Sequence, residues 1–205
     1  MSLKRDIELL FEIGTFRHLD RVWKQFLDPS VANNAEHSFR VAWIALTIAK
    51  AENAGNHEKI LKMAMLHDLP ETRCGDVHYI SRQYVERKED EAVKDMFAET
   101  VHSKEMEELF REYEKRESIE SKIVKDADNI DVEFELREQE AKGHSIGAAL
   151  RKQREEMVRP HKLYTETAKK LWDEIRKSDP HDWHVLSSKN RFKSGDWKPG
   201  SKKGG

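Results

Sequence analysis

The apolar run Ile60, Leu61, Met63, Ala64, Met65 and Leu66 leads without a spacer into His67-Asp68, and Pro70 follows two residues later. Proline clashes with helical geometry at the residue before it, so a helix through this run is expected to end where the polar pair appears. An apolar helix of this kind belongs in a core. Two hydrophilic side chains at its end need a ligand or a hydrogen-bond network, because burying a polar or charged group without a partner is costly. The alternative is a helix C-terminus open to solvent, where the helix dipole favours histidine.

The rest of the chain reads as helices around that segment. Leu3, Ile7, Leu9, Leu10, Phe11 and Ile13 have helical spacing and predict a first helix from about Leu3 to Phe16. After the Asp28-Pro29-Ser30 break, Ala35 to Ala51 carries Phe39, Val41, Ala42, Ile44, Ala45, Ile48 and Ala49, the pattern of a central, largely buried helix. Gly55-Asn56 separates it from the His67-Asp68 helix. The charge-rich stretch from Arg82 to Val101, with spaced Val85, Val93, Met96 and Phe97, predicts an exposed amphipathic helix, and another follows over Lys104 to Lys115. Ile119, Ile123, Val124, Ala127, Ile130, Val132 and Phe134 describe a long helix to Lys142, ended by Gly143, and Leu163 to Ile175 makes the last one. No strand-type alternation of useful length occurs, so the fold class is an all-α helical bundle. The expected division is one domain over residues 1 to 186 and a mobile basic tail over 187 to 205, where the composition turns to Lys, Gly, Ser and Pro.

Two further positions answer the question posed by His67-Asp68. His37 stands at the start of the second helix between Glu36 and Ser38, and Asp128 lies in the apolar part of the long later helix, hemmed by Val124, Ala127 and Ile130. A mid-helix carboxylate in that setting needs a cation or a donor. Imidazoles and carboxylates from three helices make a suitable donor set for one divalent transition metal, Mn, Co, Fe, Ni or Zn, with water completing the coordination.

These segments resemble the HD-domain metal-dependent phosphohydrolases and, within them, are similar to the YfbR-like 5'-deoxynucleotidases. The carrying stretches are residues 35–42 around His37, residues 62–71 around His67-Asp68 with Gly75-Asp76, and Ile123-Val124-Lys125-Asp126-Ala127-Asp128. The likeness covers roughly residues 15 to 140. It implies an HD-domain helical bundle with His37, His67, Asp68 and Asp128 as metal ligands. The family's Ala-Asp pair selects Asp128 as the last ligand. Asp131, three residues on and on the same face, is the second candidate, while Asp126 lies on another side of the helix.

The resemblance further implies that Glu71 orients the attacking water or passes its proton. Asp76 would help leaving-group protonation or sugar recognition, and Arg21 with Trp23 would hold the phosphate and pack against the substrate. The chain departs from the family pattern here, because Asp20 stands where relatives often have Pro and only Val22 separates Arg21 from Trp23. Arg17 is the fallback for the phosphate. The leading expectation is a 5'-nucleotidase that converts (deoxy)nucleoside monophosphates to nucleoside and phosphate. Its rivals are a nucleoside triphosphate or alarmone phosphohydrolase, which would need several more cations in the pocket, and a helical metal- or nucleotide-binding module without turnover.

Several features set bounds on these readings. Lys plus Arg number 37 against 39 Asp plus Glu, a formal charge of -2, which argues against a protein that coats nucleic acid; no stable nucleic-acid partner is expected. The apolar stretches are too short to cross a bilayer, and the N-terminus lacks the pattern of a signal peptide. With Cys74 as the only cysteine, a cytoplasmic setting is expected. The resemblance implies a homodimer. His78 and His102 lie where two-metal relatives carry extra ligands, but mononuclear relatives need none. His161, His181 and His184 have no convincing metal spacing, and residues 179–184 read as a loop packing Trp183 on the bundle.

Overall fold

The computed structural model describes residues 2–185. Among them the ordered backbone is helical, with only an isolated bridge between Asp20 and Asn33. Helix α1 covers Leu3–Thr15, α2 Asn34–Glu52, α3 His57–Leu66, α4 Glu71–Cys74, α5 Glu89–Phe97, α6 Ser103–Lys115, α7 Ile119–Ala141, α8 Ile146–Met157, α9 Glu166–Ile175 and α10 Asp182–Val185. The expected tail over residues 187 to 205 lies outside the described residues.

Local chemistry fixes where the central helices begin. Asn33 and Glu36 form a reciprocal capping box at α2: the Asn33 side chain accepts from the Glu36 backbone N–H at 3.0 Å, and Glu36 accepts from that of Asn33 at 3.0 Å. Asn56 caps α3 and Ser118 caps α7 in the same sense, each accepting a backbone N–H three residues on. These three helices pack on one another. Val41, Ala45 and Ile48 from α2, Ile60, Met63 and Ala64 from α3, and Ile123, Val124, Ala127 and Ile130 from α7 are fully buried in their common core. The start of α2, the end of α3 and the middle of α7 thereby meet.

The structure departs from the sequence expectation in four places. Residues 82–101 do not form one helix. A 3₁₀ turn at Ser81–Gln83 is followed by a non-helical stretch, and α5 begins only at Glu89. Arg87 in that stretch turns inward onto Glu71 and Glu89, so tertiary ion pairs override the local helical pattern. Helix α8 was not expected at all: it is poor in apolar residues and is held to α7 by Arg151 on Glu140 and Arg154 on Glu133. Phe39, assigned to the apolar surface of a buried helix, is 70% exposed, and so is Trp43 at 61%. Trp183 sits in the short α10, not in a loop, and is 72% exposed, so most of its side chain is left uncovered where burial was expected.

Candidate metal centre and substrate cleft

Three helices deliver four donor side chains to one point. His37 comes from the first turn of α2, His67 and Asp68 from the end of α3, and Asp128 from the middle of α7, and one donor atom from each lies within 4.8 Å of the others. The two Nε2 atoms are 3.3 Å apart. Asp68 Oδ2 stands 3.4 Å from His37 Nε2 and 3.3 Å from His67 Nε2, and Asp128 Oδ1 stands 3.3 Å from His37 Nε2. Ligands about 2.0–2.2 Å from a common metal are separated from one another by about 3 Å or slightly more, so the spacing suits one ion.

The surroundings fix which nitrogen faces the centre. His67 donates through Nδ1 to the Ala64 carbonyl at 2.8 Å, and His37 donates through Nδ1 to Asp131 Oδ2 at 2.5 Å. Both rings therefore turn Nε2 inward, and the two facing nitrogens need a proton or a metal cation between them. The electrostatics agree. Burial and the Arg21 charge both oppose protonation of His37, yet its hydrogen bonds to the carboxylates of Asp128, Asp131 and Asp68 push its pKa up to about 10. Despite burial, the His67 and His37 imidazoles hold Asp68 well below the usual carboxylate range, and Lys125 with His37 does the same for Asp128. The cage favours a positive charge at its middle. This donor set fits a divalent metal.

Asp131, the second candidate for the last ligand, binds His37 and Arg40 from behind and holds the ring rather than joining the cage. Asp126 faces elsewhere, accepting the backbone N–H groups of Tyr164 and Thr165 at 2.7 and 2.8 Å. His78 accepts backbone N–H from Ile80 on Nδ1 and meets Ser81 Oγ at 3.0 Å with Nε2, so both ring nitrogens are engaged by the protein. His102 is exposed at the start of α6. Among the described residues no second group of three or more His, Cys, Asp or Glu donors converges as the first does.

The cage opens into a cleft of about 350 Å³. Arg21, Trp23, Glu71 and Asp76 all line it, whereas Arg17 does not and instead meets its neighbour His18. Glu71 is buried between Arg87, which donates to Oε1 at 2.8 Å, and Asn34, which donates to Oε2 at 2.6 Å. Burial first, and then the charges of Asp68 and Asp76, push its pKa up to about 9 against the pull of Arg87. Asp76 follows Gly75, whose φ of 75° turns the chain out of α4. Its Oδ2 accepts the Val22 N–H at 3.0 Å, which ties the Arg21–Trp23 segment to the cleft wall. Arg21 Nη1 is buried and has no hydrogen-bond partner among the described residues.

Sequence reasoning missed Asn34, Arg87 and Lys125, and also Arg116, which lines the cleft from the end of α6 and whose charge no local pattern tied to the site. Lys125, one turn before Asp128 and 2.7 Å from its Oδ2, had a legible signal in the i,i+3 spacing. Asn34 reads as part of a cap, and Arg87 lies in a segment assigned to helix; neither carried one.

Residues 13–175 match the family described as HD domain. The chain belongs to the HD-domain family. Among curated proteins it is similar to the 5'-deoxynucleotidase HDDC2 of Danio rerio, 32% identical over 136 residues covering 62% of this chain and 66% of that one. It is also similar to the 5'-deoxynucleotidase HDDC2 of Homo sapiens, 30% identical over 150 residues covering 69% and 71% of the two chains. The chain thus spans about two thirds of the length of these two relatives, and 58% of the 5'-deoxynucleotidase hdd1 of Schizosaccharomyces pombe, to which it is 31% identical over 117 residues, 53% of this chain. Among solved structures it resembles a conserved hypothetical protein from Pyrococcus furiosus, with a TM-score of 0.68, 27% identity, and coverage of 84% of this chain and 99% of that one. No helix of the described residues is long and apolar enough to cross a membrane.

Proposed function

We propose that the chain is a metal-dependent phosphohydrolase, a 5'-nucleotidase that hydrolyses (deoxy)nucleoside monophosphates to nucleoside and orthophosphate. One observation carries the reading. The four-donor cage opens on a single cleft that also holds a buried Glu71 gripped by Asn34 and Arg87, a buried guanidinium nitrogen of Arg21 without a partner among the described residues, and the aromatic rings of Trp23, Phe26 and Tyr79. A phosphate, the reacting water and a flat base would each meet suitable chemistry there. The names of the curated relatives point the same way.

His37, His67, Asp68 and Asp128 would hold one divalent transition metal, Mn, Co, Fe, Ni or Zn. Such an ion supplies Lewis acidity, polarising a phosphoryl oxygen and acidifying water. Held between Asn34 and Arg87, Glu71 is placed to orient the attacking water or pass its proton; as the free carboxylate, the form a neighbouring cation would favour against burial, Asp68 and Asp76, it would take that proton and return it to the departing 5'-oxygen. Arg21 would grip phosphoryl oxygens, Trp23 would pack on the substrate, and Asp76 would accept from a sugar hydroxyl. The water oxygen bonds to phosphorus as the phosphorus–5'-oxygen bond breaks.

Most of the cleft's other cations are committed. Arg87 pairs with Glu71 and Glu89, Lys125 with Asp128, and Arg82 donates to the Val77 carbonyl, while Arg116 uses one nitrogen on Glu114 and keeps another unpaired among the described residues. That commitment favours a monophosphate over a triphosphate. A panel of nucleoside mono-, di- and triphosphates offered to the metal-loaded protein tests the reading: orthophosphate released from monophosphates is expected. Release of pyrophosphate or triphosphate would replace it with the polyphosphate alternative, and no release from any member, with Asp68→Ala without consequence, with the binding module. The exposed Phe39 and Trp43, four residues apart on α2, are where a second copy would bury apolar surface in the homodimer we also propose.

A further inference from the structure

We propose that Arg116 is a second phosphate-binding residue of the cleft, reaching the phosphoryl group from the α6–α7 junction while Arg21 reaches it from the segment before α2. The inference rests on the cleft being a phosphohydrolase site and adds a residue that the resemblance does not supply.

Arg116 follows the last residue of α6 at φ 54°, in the left-handed region. Glycine or asparagine ordinarily ends a helix in this way, because a β-carbon is crowded there. Among the described residues only Asn53 and Glu99 share this feature outside glycine. An arginine at such a position is not what the turn itself favours.

The guanidinium is held in place. Its central carbon lies 3.4 Å from the centroid of the Tyr113 ring, which is buried and meets His67 edge-on at 5.9 Å. One aromatic ring therefore separates Arg116 from a proposed metal ligand. Nη2 donates to Glu114 Oε1 at 3.2 Å, while Nη1 is buried with no hydrogen-bond partner among the described residues. The side chain is 20% exposed and lines the same cleft as Lys125 and Asp128. A stacked, immobilised cation with a sealed, unused donor is costly unless an anion completes it. Two such nitrogens, on Arg21 and Arg116, occur in one cleft beside the cage. A tetrahedral phosphate can accept from both, since its oxygens point in separate directions; a planar carboxylate is less able to do so.

The test exploits the backbone. The full chain, loaded with cobalt or manganese, is titrated with inorganic phosphate by calorimetry as wild type, Arg116→Gly and Arg116→Lys, with metal content and melting temperature recorded for each. Glycine relieves the left-handed conformation, so Arg116→Gly is expected to melt no lower than wild type and to keep its metal, yet to bind phosphate about tenfold more weakly. Arg116→Lys is expected in between, because it restores charge without the stacked fork. In turnover of a monophosphate, KM should rise by more than kcat falls. Unchanged phosphate affinity in Arg116→Gly would overturn the proposal, as would a wild type that binds no phosphate or a variant whose weaker binding tracks lost metal. A wild type that binds phosphate through Arg116 but hydrolyses no nucleotide would instead reject the nucleotidase reading and leave this one standing.

Discussion

Asp131 Oδ2 accepts the Nδ1–H of His37 at 2.5 Å, and this contact from α7 to α2 aims the other ring nitrogen at the cage. Asp131 is also tied to Arg40, which reaches Glu138 with another nitrogen, so the carboxylate is itself braced. Outer partners of this kind orient a ligating histidine and raise its basicity. Asp131→Asn is therefore expected to weaken metal affinity by about 10–100-fold while leaving all four donors in the chain. Competition against a chelator, read by metal analysis, checks it. An unchanged affinity would mean that packing alone sets the ring.

Asp126 and Asp128 show how closely spaced residues divide between fold and site. Asp126 accepts from the Tyr164 and Thr165 backbones and from Thr165 Oγ1 at 2.7 Å, holding the start of α9 against α7. Removing it strands buried donors, so Asp126→Ala is expected to cost about 3 kcal/mol in denaturant unfolding. Metal affinity should change little. Asp128→Ala should do the reverse in kind, abolishing tight metal binding.

That division was legible from the helical period, which sends residues two apart to different sides. The meeting of α2, α3 and α7 was equally legible, because each carries a dense apolar run with a capping residue in front and a polar donor where the run needs one. Faces were harder. Apolar residues occur nearly all round α2, so nothing local distinguished buried Val41 from exposed Phe39. Arg87 and α8 were hidden for a different reason: both are set by ion pairs between separate segments, with Glu71 in one case and Glu133 and Glu140 in the other. Charge complementarity across the chain leaves no periodic signal.

Glu71 makes stability depend on pH in a definite direction. Its folded pKa of about 9 lies above the ordinary value of 4.5, so between these values the folded state holds a proton that the unfolded state has released. Stability contributed by Glu71 is thus full below about pH 4.5 and is lost as pH rises toward 9. In metal-stripped protein, Glu71→Gln should flatten the decline in that window, as seen by denaturant unfolding at a series of pH values. With metal restored, the same variant should lose about 10²–10⁴-fold in turnover while keeping the ion. Normal turnover in Glu71→Gln would remove it from the proton path.

Phe39 and Trp43 give the proposed dimer a concrete test. Solvent-facing aromatic side chains one helical turn apart contribute nothing to the monomer's core, and covering them removes apolar surface from water. The double variant Phe39→Glu with Trp43→Glu should fold and melt much as wild type does, yet run as a monomer in size-exclusion chromatography with light scattering. A wild type that is already monomeric, or a variant that remains dimeric, would place the interface elsewhere or dispense with it.

Metal removal should register in stability as well as in activity. Without an ion, the inward carboxylates of Asp68 and Asp128 are balanced by the His37 and His67 imidazoles and by Lys125, and that arrangement is the one the ion replaces. An ion that binds the folded state alone, at a free concentration about 100 times its Kd, stabilises by about 2.7 kcal/mol. For a domain of this size that corresponds to a rise in melting temperature of about 5–10 °C. Adding manganese, cobalt or zinc to chelator-treated protein should produce such a rise, and Asp68→Ala should abolish it. Magnesium should do less, since its preference for oxygen ligands in octahedral geometry is poorly met by two imidazoles. If every divalent ion, magnesium included, shifted Asp68→Ala as much as wild type, the stabilisation would come from surface carboxylates and not from the cage.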